Sequence, residues 1–302
     1  MSFDFSGRVA VVTGAGGGLG RCHALALAER GCAVVINDLG GDVRGEGGSE
    51  SAAQAVVREI TDKGGKAMAH GGNVTSFEDM QDMVEKTVSE FGRLDILVNN
   101  AGILRDKTFA KMDMADFRTV VDVHLMGSVY ATKAALPVMQ EQEYGRIIVT
   151  TSSSGMYGNF GQSNYGAAKA ALSGFMNTMK LETAKFGIKV NALLPVAATR
   201  MTESIIPEEM LALLKPELVS PAVLFMADET APTGEIIAAG AGTFSRSVVV
   251  ETNSVYLGDA PTPEMIRDSW DKISDMSTAT PLNSGSDHTQ KVMKAVFEAK
   301  QK

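Results

Sequence analysis

The chain has 302 residues and a net charge of −8, and 44% of its residues are apolar while 21% are charged. This composition is typical of a globular protein large enough for one well-filled α/β domain. Lysine and arginine form no basic cluster, so nucleic acids and anionic membrane surfaces are not expected partners. No apolar run approaches the ~18 residues that a membrane-spanning helix needs.

The chain ends and the cysteines bear on location. Residues 1–7 lack the basic and long apolar segments of a secretory signal, and residues 299–302 (Ala-Lys-Gln-Lys) do not match the Ser-Lys-Leu type of peroxisomal address. The two cysteines, Cys22 and Cys32, flank a predicted helix and are expected to be reduced. No Cys/His spacing suggests a metal site. We therefore predict a cytoplasmic protein without a bound metal.

Short runs rich in Val and Ile alternate with longer segments of helical period. The predicted strands are, in chain order, residues 8–13, 33–38, 66–70, 94–99, 145–151 and 189–194. The predicted helices are residues 21–31, 49–64, 77–92, 118–139 and 163–187. Continuous apolar strands separated by helices indicate a parallel sheet covered on both faces. With right-handed crossovers, this pattern predicts an α/β fold with a doubly wound, Rossmann-like parallel sheet.

A different pattern occupies the C-terminal part of the chain. The sheet pattern fades from about residue 246, and a helix is predicted to start at Thr262-Pro263, with the hydroxyl as cap. The apolar side chains expected on one face of this helix are Met265, Ile266, Trp270 and Ile273. We predict a single domain over residues 1–245. Residues 246–302 are predicted to be an extension that packs on this domain or at an oligomeric interface.

A glycine-rich turn joins the first predicted strand to the first predicted helix. From Thr13 to Gly20 it contains five glycines in eight residues, more than an ordinary turn needs. Glycines let the backbone turn sharply and approach a pyrophosphate, whose charge is stabilised at a helix N-terminus. We predict that the first domain binds a dinucleotide. The residues predicted to hold its phosphates are Gly14, Gly18, Leu19 and Gly20.

An acidic residue closes the second predicted strand. At this position the carboxylate of Asp38 can accept hydrogen bonds from the adenosine ribose. It would repel the 2′-phosphate of NADP, and no arginine occurs between Asp38 and Arg44. The sequence therefore predicts NAD as the cofactor. Two alternatives stay open: Asp38 caps its own loop, or Arg44 turns inward and accepts NADP.

A tyrosine and a lysine lie four residues apart on the last long predicted helix, as Tyr165 and Lys169. This spacing places both side chains on one face. A free tyrosine has a pKa of about 10, which is too high for a base at neutral pH. A nearby ammonium and the positive nicotinamide of NAD⁺ both lower that pKa. Such a tyrosine can take the proton of an alcohol, although the pair alone is common by chance.

Several motifs occur together in an order that resembles the short-chain dehydrogenase/reductase family. They are the spacing Thr-Gly-x-x-x-Gly-x-Gly, Asn-Asn-Ala-Gly at residues 99–102, Ser152 thirteen residues before Tyr165, and the Tyr-x-x-x-Lys pair. The resemblance implies that Ser152, Tyr165 and Lys169 are catalytic, with Ser152 holding the substrate oxygen. Besides Tyr165 and Lys169, the residues that it assigns to the cofactor are Asn73, Val74, Asn99, Ala101, Gly102 and Thr199.

One segment departs from the family pattern. The family's proton-relay Asn normally lies in an Asn-x-x-Gly element, and residues 124–127 read His-Leu-Met-Gly instead. His124 is therefore a catalytic candidate that would reconnect Lys169 with solvent. The alternative is that His124 holds a water molecule or a backbone carbonyl.

Longer stretches resemble one branch of the family, the (3R)-hydroxyacyl-CoA dehydrogenase part of peroxisomal multifunctional enzymes of type 2, also called 17β-hydroxysteroid dehydrogenase type 4. Among them are residues 37–41, 101–106 and 154–162, and the histidine at position 124 also fits this branch. The resemblance implies NAD-dependent oxidation of a (3R)-3-hydroxyacyl-CoA to a 3-oxoacyl-CoA, as in β-oxidation, by a homo-oligomer.

Three alternative functions stay open. One is a dehydrogenase for steroids or other bulky secondary alcohols, because the sequence does not distinguish its apolar pocket from a pocket for an acyl chain. A non-catalytic NAD(H) sensor that regulates a partner would keep the cofactor motifs, although the intact Ser152, Tyr165 and Lys169 argue against it. An NADPH-dependent 3-oxoacyl reductase of fatty-acid synthesis is disfavoured by Asp38.

Overall fold

The computed structural model describes residues 3–42, 44–47, 51–198 and 208–301. Its strands are β1 Val9–Thr13, β2 Ala33–Asn37, β3 Ala67–His70, β4 Ile96–Asn99, β5 Gly145–Thr150, β6 Ile188–Val196, β7 Ile236–Gly240, β8 Thr243–Ser247, β9 Val250–Glu251 and β10 Thr280–Pro281. Its α-helices are α1 Gly18–Ala28, α2 Ser51–Asp62, α3 Phe77–Phe91, α4 Met114–Val121, α5 Gly127–Glu141, α6 Ser153–Tyr157, α7 Ser163–Thr183, α8 Glu208–Leu211, α9 Ser220–Ala227, α10 Pro263–Asp268, α11 Trp270–Ile273 and α12 Gly285–Lys300.

Eight strands form one sheet in the order β3-β2-β1-β4-β5-β6-β7-β8. The pairs from β3 through β7 are all parallel. β8 follows β7 after Ala241 and Gly242, which both have positive φ values, as in a tight hairpin turn. The predicted doubly wound, Rossmann-like α/β fold is confirmed.

The central strands of the sheet are buried on both faces because apolar residues fill most of their positions. Val12 and Ile148 belong to the core cluster that includes residues of α1, α2 and α9. Val11 and Ile147 point to the opposite face, where α3, α5 and α7 pack. Burying one such side chain stabilises the fold by ~1.5–3 kcal/mol. The strand order reverses direction between β1 and β4, and in open α/β sheets this switch point is where ligands bind.

The segment predicted as one long helix, residues 118–139, is helical throughout, but it contains a π-helical turn that the sequence does not predict. α4 ends at Val121, a π-helical turn spans Asp122–Met126, and α5 begins at Gly127. Within the turn, the backbone carbonyl of His124 accepts a hydrogen bond from the Ser128 hydroxyl at 2.7 Å. π-helical turns inside α-helices are frequent at functional sites.

The chain divides into two compact units, Met1–Arg246 and Ser247–Lys302. In the second unit β9 and β10 pair antiparallel, and the Glu251 carboxylate contacts His288 at 2.9 Å. The predicted helix start is confirmed, since the Thr262 hydroxyl accepts a hydrogen bond from the Met265 N–H. The expected common apolar face is interrupted at Ser269, which separates α10 from α11. The packing of the extension, and the predicted boundary at residues 245 and 246, stay predictions.

Membrane-spanning helices and metal-binding clusters are both absent from the described residues. These residues contain no helix long and apolar enough to cross a membrane. In the same ranges, no group of three or more His, Cys, Asp or Glu side chains is arranged to hold a metal ion.

Candidate active site

The glycine-rich turn lies at the carboxyl end of β1, beside β4. Gly14 has a φ of +64°, and a Cβ atom there would lie 2.7 Å from the Cα atom of Ala101. At Gly17, by contrast, a Cβ atom would meet nothing within 4 Å. Gly17 also precedes α1 without a side-chain cap, so the first N–H groups of the helix stay free for an anion. The turn therefore offers the close backbone approach and the partial positive charge that a pyrophosphate needs.

Side chains at the carboxyl ends of β1 and β4 hold this turn in place. The Thr13 hydroxyl accepts hydrogen bonds from the backbone N–H groups of Asn100, at 3.0 Å, and Ala101, at 3.1 Å. The Asn100 amide donates to the backbone carbonyls of Thr13 and Gly14 at 3.0 and 3.1 Å. Asn100 was missed by the sequence analysis, although it lies within the Asn-Asn-Ala-Gly element. That element thus fixes the turn against β4.

A cavity of about 350 Å³ runs from the glycine turn to Tyr165. The predicted site residues that line it are Gly14, Gly18, Leu19, Asp38, Asn73, Val74, Ala101, Gly102, His124, Tyr165 and Lys169. Gly20 supports the turn, since a Cβ atom there would lie 2.3 Å from the Gly14 carbonyl oxygen. Asn99 is not among the lining residues; its buried amide donates to Thr132 at 3.2 Å. Thr199 lies outside the described residues.

At the adenosine end of the cavity, the Asp38 carboxylate accepts two backbone hydrogen bonds. Gly16 and Gly40 each donate an N–H group to it at 2.7 Å. Each carboxylate oxygen keeps a further lone pair for a ribose hydroxyl. Arg44 is exposed, with its Nε atom 3.9 Å from the Glu46 carboxylate. Asp38 therefore both caps its loop and presents negative charge to the cavity.

A buried histidine at the end of β3 supports the wall of the adenine end, and the sequence analysis missed it. His70 Nε2 lies 2.9 Å from the Asp82 carboxylate, and its Nδ1 atom lies 3.1 Å from the Asn37 amide nitrogen. Gly72 donates its N–H group to the same Nδ1 atom at 3.2 Å. Two donors at Nδ1 require the tautomer with its proton on Nε2. No spacing in the sequence links Asn37, His70 and Asp82, so only the fold brings them together.

Tyr165 and Lys169 share one face of α7, beside the end of β5. The Lys169 ammonium lies 5.5 Å from the ring centroid of Tyr165 and donates to the backbone carbonyl of Thr150 at 2.5 Å. The Ser152 hydroxyl accepts a hydrogen bond from the Ser154 N–H at 3.2 Å, and the Ser152 side chain lies close enough to Tyr165 to lower its pKa. The structure thus brings Ser152, Tyr165 and Lys169 together, as the family resemblance implies.

The electrostatics of these groups follow from burial and from their neighbours. Burial lowers the pKa of Lys169 to about 7. Burial raises the pKa of Tyr165, while its hydrogen bond with Ser152 lowers that pKa and the charge of Asp106 raises it. In the free chain Lys169 is therefore close to half protonated at neutral pH. Tyr165 consequently needs a further positive charge in the cavity to become a phenolate.

His124 contacts both the tyrosine and the backbone that follows β4. Its ring lies 5.0 Å from the Tyr165 ring in an edge-on arrangement. Its Nε2 atom lies 2.8 Å from the Ile103 carbonyl oxygen and 3.1 Å from the Ile103 nitrogen, whereas its buried Nδ1 atom has no hydrogen-bond partner among the described residues. Burial, followed by the charge of Lys169, places the pKa of His124 well below its usual value. The imidazole is therefore neutral.

A polar network links the loop after β4 to the segment before Tyr165. Gln162 donates to the Asp106 carboxylate at 2.6 Å, and its amide oxygen accepts from the Ser154 hydroxyl at 2.7 Å. Asn164 donates to the Arg105 carbonyl at 3.0 Å and accepts the Tyr165 N–H at 2.7 Å. The sequence analysis did not single out Asp106 or Gln162 for this role, because they are far apart in the chain.

Comparison with known proteins identifies the family of the chain. A model of the family described as short chain dehydrogenase matches residues 8–210. The chain is 47% identical over 280 residues to the peroxisomal multifunctional enzyme type 2 of Mus musculus, covering 91% of this chain and 38% of that enzyme. The chain therefore spans well under half the length of this curated relative.

Two solved structures share the fold. The full-length peroxisomal multifunctional enzyme type 2 from Drosophila melanogaster matches 98% of this chain and 50% of its own, with a TM-score of 0.83 and 38% identity. A 7α-hydroxysteroid dehydrogenase complexed with NADH and 7-oxo glycochenodeoxycholic acid matches 79% of this chain and 95% of its own, with a TM-score of 0.71 and 30% identity.

Proposed function

Because the chain belongs to the short-chain dehydrogenase family, we propose that it oxidises a (3R)-3-hydroxyacyl-CoA to the 3-oxoacyl-CoA, with NAD as cofactor. The observation that carries this proposal is the cluster of Ser152, Tyr165 and Lys169 at the end of a cavity that begins at the glycine turn. The acyl-CoA substrate is supported by the similarity to the mouse enzyme, which covers 91% of the chain and extends beyond the family model.

The residues of the cavity fit a nicotinamide dinucleotide. The open space at Gly17 and the uncapped start of α1 suit the pyrophosphate, and Asp38 suits the adenosine ribose. When bound, the cofactor supplies the acceptor for the hydride of the alcohol carbon. The side chains of the chain supply the proton chemistry and the position of the substrate oxygen.

Ser152 and Tyr165 hold the hydroxyl of the substrate, since the Ser152 side chain lies close enough to Tyr165 to lower its pKa. Tyr165 Oη takes the hydroxyl proton as the carbon–oxygen bond becomes a carbonyl. Lys169 favours the phenolate by its charge, and its hydrogen bond to the Thr150 carbonyl fixes the ammonium beside the ring. The release of one proton per turnover then requires a path from Tyr165 and Lys169 to solvent.

We propose that His124 belongs to this path. Its neutral ring contacts Ile103 through Nε2 and leaves a buried Nδ1 atom with no partner among the described residues, and the charge of Lys169 is close enough to lower its pKa. A buried polar atom without a protein partner is suited to a bridging water. The contact with Ile103 also supports the alternative role, because it holds the backbone that lines the cavity. The two roles combine in one residue.

The preference for NAD rests on Asp38 and, among the described residues that follow it, on the lack of a cation turned toward it. Its carboxylate is held in the cavity by Gly16 and Gly40, so it cannot turn away from a 2′-phosphate without losing two hydrogen bonds. Arg44, the cation that follows it, lies beside Glu46. A 2′-phosphate would therefore meet uncompensated negative charge.

A second candidate is a steroid or other bulky secondary-alcohol dehydrogenase, which the likeness to the 7α-hydroxysteroid dehydrogenase favours. NADH formation distinguishes the two when a 3-hydroxyacyl-CoA, a 7α-hydroxysteroid and a 17β-hydroxysteroid are compared at equal concentration. Turnover of the thioester alone supports the proposal, and turnover of a steroid alone refutes it. NADH binding without turnover of any of them would instead indicate a cofactor-sensing protein.

We also propose a homo-oligomer in a reducing compartment such as the cytoplasm. Exposed Phe225 and Phe244 border an apolar cavity on α9 and the last strands of the sheet, and contiguous apolar surface favours association. Cys22 and Cys32 are both free thiols. Light scattering tests the oligomer, and cell fractionation tests the location against the peroxisome that the mouse relative's name indicates.

A further inference from the structure

Two segments beside the catalytic tyrosine expose large aromatic side chains. Phe160 is 90% exposed, Tyr157 is 73% exposed and Phe109 is 67% exposed. Single exposed apolar residues are common on proteins, whereas three aromatic side chains in two adjoining segments mark a binding surface. Two exposed lysines, Lys107 and Lys111, belong to the same segments. We call these five residues the rim patch.

The backbone holds the two segments of the rim patch together and fixes them to the active site. Lys107 donates its N–H group to the Gly161 carbonyl at 2.9 Å. Phe109–Lys111 forms a single 3₁₀ turn, and the buried Met112 that ends it contacts the Ser163 hydroxyl. Ser163 begins α7, the helix that carries Tyr165. The rim patch is therefore built on rigid contacts next to the proposed site of chemistry.

The rim patch itself carries two positive charges, from Lys107 and Lys111, whereas the acidic side chains near it are held by other groups. Arg105 pairs with Asp116 at 2.7 Å, and the Asp106 carboxylate accepts from Gln162. Asp113 caps α4 by accepting the Ala115 N–H at 2.8 Å. Among the described residues, no carboxylate forms an ion pair with Lys107 or Lys111. Two unpaired ammonium groups and three exposed rings thus belong to two segments that the Lys107–Gly161 hydrogen bond joins.

This combination matches the chemistry of a nucleotide. Lysine ammonium groups bind phosphates as point charges. Exposed aromatic rings stack on bases without requiring a particular edge of the base. We propose that the rim patch binds the nucleotide end of coenzyme A, with its adenine and 3′-phosphate, while the acyl end reaches Tyr165. This assignment rests on the proposed acyl-CoA substrate and adds a second nucleotide site, separate from the cofactor cavity.

A binding measurement tests the rim patch without turnover. The probe is adenosine 3′,5′-bisphosphate, titrated into the whole protein with NAD⁺ held at saturation so that the cofactor cavity is filled. We expect saturable binding that weakens with added salt, since exposed charges are screened. The double variant Lys107→Ala/Lys111→Ala should weaken it at least about tenfold. Lys66→Ala, which removes an exposed lysine at the amino end of β3, should leave it unchanged.

A kinetic comparison separates this inference from the proposed function. The substrates are a 3-hydroxyacyl-CoA and the same acyl group on N-acetylcysteamine, which lacks the nucleotide. We expect Phe160→Ala and the double lysine variant to raise KM for the CoA thioester about five- to tenfold, with kcat and both parameters for the short thioester nearly unchanged. Phe160→Tyr should retain the wild-type KM.

Three results would overturn the assignment. One is equal KM values for the two thioesters in the wild type. Another is no binding of the bisphosphate. The third is a change in oligomeric mass in the rim-patch variants, which would show that a second copy of the chain covers this surface. Failure to oxidise either thioester, with the bisphosphate still bound at the rim patch, would refute the proposed reaction and leave the nucleotide site in place.

Discussion

Lys169 lies one helical turn after Tyr165, and its ammonium sits 5.5 Å from the tyrosine ring centroid. The same ammonium is held by the Thr150 carbonyl at the end of β5. The sheet and the helix thus fix the distance between the proposed base and the charge that activates it. Both side chains are largely desolvated, so water screens little of the charge that Lys169 carries when it is protonated.

Tyr165→Phe removes the proposed base and keeps the ring. We expect kcat to fall by about 10²–10⁴-fold, because general base catalysis contributes this much. The dissociation constant for NADH should change little, since the ring and Lys169 remain. Initial rates and fluorescence titration measure the two quantities. Substantial residual activity would show that another group takes the proton.

Asp38→Ala removes the carboxylate from the adenosine end. The ratio of kcat/KM for NADP⁺ to that for NAD⁺ should rise by about tenfold or more, because the repulsion of the 2′-phosphate is lost. Gly16 and Gly40 also lose an acceptor, so Asp38→Asn serves as a control that retains one acceptor oxygen. An unchanged ratio in both variants would refute the role of Asp38 in cofactor choice.

The low pKa of Lys169 predicts how stability depends on pH. The pKa is about 7 in the folded chain and ~10.4 when unfolded, so between these values the unfolded chain binds more protons. The free energy of unfolding therefore rises with pH above 7, by up to about 1.4 kcal/mol per pH unit. Burying the ammonium is most unfavourable below pH 7, where it is charged in both states.

Denaturant unfolding of the cofactor-free chain at pH 7, 8 and 9 measures this dependence, with Lys169→Met as reference. The variant should show the smaller slope. The pKa of His23 is lowered to about 3 and that of His124 is also lowered, so both change protonation below this range. Burial raises the pKa of Cys32 and of Cys22, so both thiols lower the free energy of unfolding as pH rises through their unfolded pKa of about 8.5, and they do so equally in the variant. Equal slopes would contradict the low pKa of Lys169.

Variants of His124 distinguish its proposed role in the proton path from its contact with the Ile103 backbone. His124→Ala should lower kcat by about 10²-fold, because the relay and the contact with Ile103 are both lost. His124→Asn, which restores the residue type of the family, should recover most of the activity. The pH dependence of kcat distinguishes the roles, since a purely structural role would leave its apparent pKa values unchanged.

The sequence predicts the strands of the sheet well, but it does not predict the π-helical turn within the long helical segment. Strands β1 and β5 contain the apolar runs Val9–Val12 and Ile147–Val149, a pattern typical of strands covered on both faces. The π-helical turn at Asp122–Met126 has no such pattern, because it depends on packing. A Cβ atom at Gly127, for instance, would lie 2.8 Å from Val74 of another loop.

The site shows the same division. Tyr165 and Lys169 are found from sequence because their four-residue spacing is local to one helix. The link between Asp106 and Gln162, and the contact of His70 with Asp82, join segments that only the fold brings together. Asn100 was missed for a different reason: the motif marks the strand end without showing which of its two amides faces the glycine turn.

The most direct test of the proposed reaction is NADH formation from NAD⁺ with each enantiomer of a 3-hydroxyacyl-CoA, at several chain lengths, with Tyr165→Phe as control. We expect rapid turnover of the (3R) thioesters, slow or no turnover of the (3S) thioesters, and loss of both with the variant. Equal turnover of the two enantiomers, or turnover of the (3S) form alone, would contradict the proposed substrate.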